Sequence, residues 1–226
     1  MMTAQHRLIE TEADLAEGVA HLRRICPNMD KLAALIKLPP LRRTKGGFAG
    51  LISIVIAQQL SVAAADTIEA RVVAKLKKIT PETILKSRMP TLRACGLSGP
   101  KIKTLKALAN AVKDKTLDFK KVDAAHPDEA REMLTQVSGI GPWTSDIYIM
   151  FALGHADVFA PGDLALQEAA RVAYGLRARP DVIKLAKRAR TWSPWQGVAA
   201  RLLWAYYARM RDEKRKTPKV KKTRWD

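Results

Sequence analysis

The chain has 226 residues, 47% of them hydrophobic, which is enough for the core of one large or two small domains. Its net charge of +18 indicates a polyanionic partner, although a basic surface also keeps a protein in solution. No apolar run approaches the roughly eighteen residues of a membrane span, and residues 1–10 lack a signal-peptide core. The sequence therefore predicts a cytoplasmic protein without a membrane partner.

The two cysteines, Cys26 and Cys95, argue against a metal cluster. Two thiols cannot hold an iron–sulfur cluster with four cysteine ligands, and their separation does not match a zinc site. Both are therefore interpreted as reduced thiols in or near the core, and the sequence predicts a protein without an iron–sulfur cluster.

The first part of the chain has the pattern of several short helices. Apolar residues recur at helical spacing over Glu12–Cys26 and Met29–Leu38, and prolines follow both segments. Phe48–Gln58 is strongly apolar and predicts a buried helix, and Ser61 is a good N-cap for the next helix. Three residues then occupy the corner between these helices: Gln58, Gln59 and Leu60.

A helical hairpin is predicted in the second half of the chain. Arg131–Val137 has its apolar residues on one face, a turn with Gly139 and Gly141 ends it, and Pro142 begins a second helix that runs to Leu153. Glycine amides at a helix N-terminus are typical of an anion site, here a phosphate. An ordinary helix–helix turn explains the two glycines equally well.

An acidic residue follows the hairpin at the start of a third helix. Asp163 lies in the sequence Phe159-Ala-Pro-Gly-Asp-Leu, about twenty residues after the glycine turn. By itself, this aspartate is best interpreted as the N-cap of a helix over Leu164–Tyr174.

Together, the hairpin and this acid resemble the helix-hairpin-helix plus Gly-Pro-Asp signature of the DNA base-excision glycosylases. The sequences Gly139-Ile-Gly-Pro-Trp-Thr and Phe159-Ala-Pro-Gly-Asp-Leu most resemble the AlkA-like 3-methyladenine DNA glycosylase II branch. The segments Ile56–Val62, Trp192–Trp195 and Leu203–Tyr207 are also similar to that branch, so the resemblance covers roughly residues 48–207.

The resemblance implies an all-α, two-lobed helical fold with a central DNA-binding cleft, and few segments of the sequence have the pattern of a strand. The glycosylase body would span residues 1–212. Lobe one would comprise about residues 48–153, and lobe two residues 1–47 with 154–212. Residues 213–226 are basic and poor in apolar side chains, which predicts a disordered tail.

The implied function is that of a monofunctional DNA-3-methyladenine glycosylase II in base excision repair on the chromosome. Such a hydrolase flips alkylated purines (3-methyladenine, 7-methylguanine) out of damaged double-stranded DNA and cleaves their N-glycosyl bond, acting as a monomer. Asp163 would supply the catalytic carboxylate, and Trp143 and Trp204 would form the base pocket, unless these tryptophans only pack in the core. The lyase branches have a lysine at the position of Trp143, so the resemblance implies a protein without lyase activity.

The resemblance also assigns the DNA contacts. A side chain of the corner would fill the gap left by the flipped base, and Gln59 is the first choice and Leu60 the second. Gln58, beside them, would also contact DNA. The hairpin would contact the DNA backbone through three residues: Gly139, Gly141 and Thr144. Three hairpin carbonyls would hold a structural Na⁺ or K⁺, those of Thr135, Val137 and Ile140, and no other cofactor is required.

Two alternatives remain open at this point. A noncatalytic helix-hairpin-helix module would bind DNA without chemistry, but it would have no need of Asp163. A glycosylase of another helix-hairpin-helix branch is disfavoured by Trp143 and by the lack of four cysteines.

Overall fold

A computed structural model of the chain describes residues 7–216. Within this range no β-sheet occurs, and one isolated antiparallel bridge joins Leu8 to His155. The predicted all-α class is therefore confirmed. The helices in chain order are α1 (Glu12–Ile25), α2 (Pro27–Ile36), α3 (Gly47–Ala57), α4 (Val62–Leu76), α5 (Pro81–Lys86), α6 (Met89–Ala94), α7 (Gly99–Lys113), α8 (Phe119–Ala124), α9 (Pro127–Thr135), α10 (Pro142–Tyr148), α11 (Leu164–Ala173), α12 (Val182–Ala189) and α13 (Gln196–Lys216).

The described residues divide into two compact units. Unit one contains the residues up to Asp14 together with Leu41–Ala160. Unit two contains Leu15–Pro40 and the residues from Pro161 onward. None of the helices within residues 7–216 is long and apolar enough to cross a bilayer.

The units differ from the predicted lobes in three segments: the residues up to Asp14, residues 41–47 and residues 154–160 were predicted for lobe two, but they belong to unit one. The N–H of Ile9 donates to the Gly154 carbonyl at 2.7 Å, and the N–H of Ala156 donates to the Arg7 carbonyl at 2.9 Å. The guanidinium of Arg43 donates to the carbonyls of Ile9 and Ala152. These backbone contacts place both the first described residues and the basic loop before α3 in unit one.

Unit one has its core around α3, whose Leu51, Ile52, Val55 and Ile56 are fully buried. α7 packs against both α3 and α5, which explains why its buried side chains recur at helical spacing. At the end of α10 the chain continues as a π-helical turn over Ile149–Leu153. This turn is closed by Gly154, which has the left-handed conformation with a φ of 87°.

Unit two packs α13 against α11 and α2. Gly18 of α1 also lies very close to the start of α13. A Cβ atom on Gly18 would lie 2.6 Å from Val198 Cγ2 and 2.7 Å from Trp195 Cε3, so only glycine fits at this helix crossing. Trp192 is fully buried in the same unit.

The last helix is longer than predicted. α13 runs to Lys216, so residues 213–216, predicted to begin a disordered tail, are helical, with an ion pair between Arg209 and Glu213 on its exposed face. A pair four residues apart stabilises the end of an exposed helix. The rest of the predicted tail, residues 217–226, lies outside the described residues.

Candidate functional site

The predicted hairpin is formed by α9 and α10, which are joined by the hairpin turn, Gln136–Gly141. Gly139 in this turn has a φ of 87°, and a Cβ atom there would lie 1.9 Å from the hydroxyl oxygen of Thr104 on α7. Both the backbone conformation and the close approach require glycine at this position. The hairpin turn therefore rests directly on α7.

Gly141 has a different role, since packing does not require it. Its φ is −100°, and a Cβ atom would meet nothing within 4 Å. Among residues 7–216, no backbone carbonyl accepts from the amides of Gly139 or Gly141. Two amides without a backbone partner beside the first turn of α10 form a surface that suits an anion.

The corner predicted to enter DNA is the turn between α3 and α4, here called the corner turn, Gln58–Leu60. Gln59 has a φ of 56°, a left-handed conformation that is uncommon for a residue other than glycine, and its side chain is exposed. Leu60 is 40% exposed. These two side chains are accessible to a partner, as the prediction requires.

Gln58 and Thr144, both predicted to contact DNA, are hydrogen-bonded to each other. Thr144 is only 2% exposed, and its hydroxyl oxygen accepts a hydrogen bond of 2.8 Å from the side-chain amide of Gln58. The same amide lies 3.5 Å from the Gly139 carbonyl. Through this hydrogen bond the two residues connect the corner turn to the hairpin.

A buried ion pair connects the two helices of the hairpin. Asp146 on α10 is 3% exposed, and its carboxylate accepts a 2.7 Å hydrogen bond from Arg131 on α9. Burial raises the pKa of Asp146 to about 6, and the Arg131 guanidinium opposes this shift. Arg131 also pairs with Asp128 at the surface. The pair therefore links α9 to α10.

The candidate catalytic acid, Asp163, lies in unit two as the N-cap of α11. Its Oδ1 accepts from the amides of Ala165 at 2.9 Å and Leu166 at 3.0 Å. The indole N–H of Trp204 on α13 donates to the same oxygen at 3.2 Å. Three donors thus fix the orientation of one carboxylate, which is more than a simple N-cap requires.

Comparison with models of protein families identifies the family of this chain. A model of the HhH-GPD superfamily, described as base excision DNA repair proteins, matches residues 52–194, which is more than half of the chain. This protein belongs to the HhH-GPD superfamily. The match includes the corner turn, the hairpin and Asp163.

Several relatives of this HhH-GPD protein are glycosylases by name. DNA-3-methyladenine glycosylase 1 of Schizosaccharomyces pombe is 31% identical over 206 residues, which cover 86% of this chain and 89% of that protein. Alkylbase DNA glycosidase-like protein mag2 of the same yeast is 27% identical over 162 residues, or 70% of this chain and 76% of that protein. The structure of S. pombe 3-methyladenine DNA glycosylase in complex with abasic DNA matches with a TM-score of 0.77 at 28% identity, covering 83% of this chain and 95% of that chain.

The remaining predicted positions of this HhH-GPD protein lie around the hairpin. Trp143 follows Pro142 in the first turn of α10 and is half-buried. No backbone N–H of the described residues donates to the carbonyls of Thr135 or Ile140, and the Val137 carbonyl accepts only from Ile140 at 3.0 Å. Oxygen atoms with unused lone pairs are ligands that a hard monovalent cation prefers, so this part of the hairpin fits the predicted ion.

Two pairings in this HhH-GPD protein were missed by the sequence analysis: Gln58 with Thr144, and Arg131 with Asp146. Asp146 gave a signal, because it is the single acidic residue in the otherwise uncharged second helix of the hairpin. An acidic side chain that is buried in such a helix is costly without a partner. No comparable signal marks Gln58, whose partner lies 86 residues away.

Arg131→Ala should destabilise the protein by about 2 kcal/mol at pH 8, because it leaves the buried Asp146 without its partner. Loss of the guanidinium should raise the pKa of Asp146 further above its ordinary value. When a carboxyl group has a raised pKa in the folded state, the free energy of unfolding falls as the pH rises through that pKa. The destabilisation caused by Arg131→Ala should therefore be larger at pH 8 than at pH 5. Urea unfolding at both pH values measures the difference.

The matched control is Arg209→Ala, which breaks an exposed pair on α13 and should change little at either pH. Asp146→Asn added to Arg131→Ala should remove most of the extra loss at pH 8. An equal loss at both pH values would mean that Arg131 contributes by packing alone.

Proposed function

We propose that this protein is a monofunctional DNA glycosylase that flips alkylated purines, such as 3-methyladenine and 7-methylguanine, out of double-stranded DNA and hydrolyses their N-glycosyl bond. The observation that carries the proposal is Asp163, whose Oδ1 accepts from two backbone amides and from the Trp204 indole. The relatives named as 3-methyladenine glycosylases support the substrate class.

The chemistry follows from the charge that develops on the sugar. When the bond to the base breaks, the base leaves with the electron pair and positive charge builds on the sugar ring, as in other glycosyl transfers. A carboxylate with a fixed orientation stabilises that charge without reorganising. Water then adds its oxygen to C1′, and its proton passes to Asp163 or to solvent.

The leaving group explains the preference for alkylated purines. A base that is already cationic leaves without protonation by the enzyme, and electron-rich aromatic faces attract it. Trp204 lies beside the carboxylate and supplies one such face. Neutral bases gain less from these faces.

DNA binding is assigned to the hairpin and the corner turn. The amides of Gly139 and Gly141 would hold a backbone phosphate, which positions the protein without selecting a sequence. The carbonyls of Thr135, Val137 and Ile140 would hold Na⁺ or K⁺, whose positive charge would attract the same phosphate. All of these groups belong to one chain, so one copy suffices at a lesion on chromosomal DNA.

The test is base release from double-stranded DNA that carries N7-methylguanine, followed by reduction with borohydride. We expect free base, an abasic site in an unbroken strand, and no covalent protein–DNA adduct, because Trp143 cannot form a Schiff base. Efficient trapping would point to an amine nucleophile and reject the hydrolase. Binding to the duplex without base release would favour the noncatalytic module.

A further inference from the structure

The corner turn is held by its own backbone. The N–H of Leu60 donates to the Ala57 carbonyl at 3.2 Å, and the N–H of Gln58 donates to the Val55 carbonyl at 3.3 Å. Ser61 caps α4 by accepting from the amide of Ala64. The left-handed Gln59 lies between these fixed points, so its exposed side chain has a defined direction.

α7 contacts both the corner turn and the hairpin turn. Near its start, the ammonium of Lys101 donates to the Ile56 carbonyl at 2.7 Å, at the last turn of α3. Three residues later, Thr104 lies against Gly139 of the hairpin. Residues three apart share one face of a helix, so this face of α7 contacts both turns.

Gln58 connects the two turns directly. Its amide donates to the buried Thr144 hydroxyl at 2.8 Å and lies 3.5 Å from the Gly139 carbonyl. Its N–H hydrogens therefore point towards the hairpin and not towards a partner molecule. The exposed residue of the turn is its neighbour, Gln59.

We propose that Gln58 is a positioning residue that joins the corner turn to the hairpin turn, so that Gln59 enters the DNA at a fixed distance from the phosphate held by the hairpin. The inference rests on the proposed function, because it requires both turns to contact DNA. It replaces the expected contact of Gln58 with DNA by a contact within the protein. Without the joint, the hairpin still holds phosphate, but Gln59 no longer reaches the base stack reliably.

The test uses a duplex in which 2-aminopurine stands next to an abasic site, because its fluorescence rises when the stack beside it opens. Abasic DNA needs no catalysis, so this readout does not depend on base release. Wild-type protein should raise the fluorescence. Gln58→Ala and Thr144→Val should bind the duplex within about twofold of wild type, since phosphate contacts set the affinity, but should lose most of the rise.

Two further variants separate the joint from general damage to the fold. Thr144→Ser keeps the hydroxyl acceptor and should restore the fluorescence rise that Thr144→Val loses. Asn110→Ala removes an exposed amide elsewhere on α7 and should behave as wild type. The double variant Gln58→Ala, Thr144→Val should lose no more than either single change, because both remove the same hydrogen bond.

Single-turnover release of N7-methylguanine should fall in parallel, by about tenfold for one lost hydrogen bond. Three outcomes would reject the positioning role of Gln58. They are a full fluorescence rise with Gln58→Ala, no rise with wild type, and losses that multiply in the double variant. A loss of affinity equal to the loss of fluorescence would also reject it, because it would make Gln58 a direct DNA contact. If wild type releases no base, the proposed function falls, while the fluorescence comparison still decides the role of Gln58.

Discussion

Asp163→Asn should lower the single-turnover rate of base release by a factor of about 100 to 1,000, the usual effect of removing one group that stabilises developing charge. The substitution removes the negative charge but keeps a side-chain oxygen. That oxygen can still accept from the amides of Ala165 and Leu166 and from the Trp204 indole. The N-cap of α11, and with it the fold and the affinity for DNA, should therefore be preserved.

The matched control is Asp157→Asn, the same chemical change at an exposed acid six residues earlier. It should leave base release close to wild type. Circular dichroism and affinity for abasic DNA show whether each variant is folded and able to bind. A folded Asp163→Asn protein with near-normal turnover would leave Asp163 as an N-cap only.

Trp204→Ala should reduce the release of N7-methylguanine by about 100-fold, because two interactions are lost together. One is the indole N–H bond to Asp163 Oδ1, and the other is the aromatic face offered to a cationic base. Affinity for undamaged DNA depends on phosphate contacts and should change little. Single-turnover excision of N7-methylguanine and of the neutral base hypoxanthine measures both losses.

Trp204→Phe separates the two interactions, because it keeps an aromatic ring but has no N–H. It should lower the excision rate of both lesions by a similar factor of about ten, which corresponds to the loss of one hydrogen bond to a charged group. Trp204→Ala should add a further loss for the cationic lesion. Equal losses on both lesions with Trp204→Ala would mean that the ring only shapes the pocket, and a wild-type preference for hypoxanthine would reject the cationic-base hypothesis.

Local signals were sufficient to predict much of this protein. The apolar pattern of α3, the glycine turn before Pro142 and the aspartate at a helix start are all features of short segments. Their spacing therefore predicted the helical fold and the N-cap position of Asp163 correctly. The end of α13 was misplaced because its last turns contain few apolar residues, and composition alone does not distinguish an exposed helix from a disordered tail.

The contacts that organise the candidate site were beyond the reach of local signals. The Trp204 indole meets Asp163 across 41 residues, and Gln58 meets Thr144 across 86. Hydrogen bonds between distant segments leave no periodic trace in the sequence. Their partners were assigned to the base pocket or to DNA from the resemblance alone, so the connections among the site residues became visible only in three dimensions.

The π-helical turn over Ile149–Leu153 constrains the length of the chain between the hairpin and the segment that leads to Asp163. A π-helical turn accommodates one more residue than an α-helical turn, and each residue of a helix turns the chain by about 100°. Deleting one residue there would rotate Gly154 away from the Ile9 N–H and from Arg43, whose guanidinium fills the space beside it. Insertions and deletions among relatives should therefore avoid these five residues. They should fall instead in surface loops, whose length does not determine a contact between distant backbone segments.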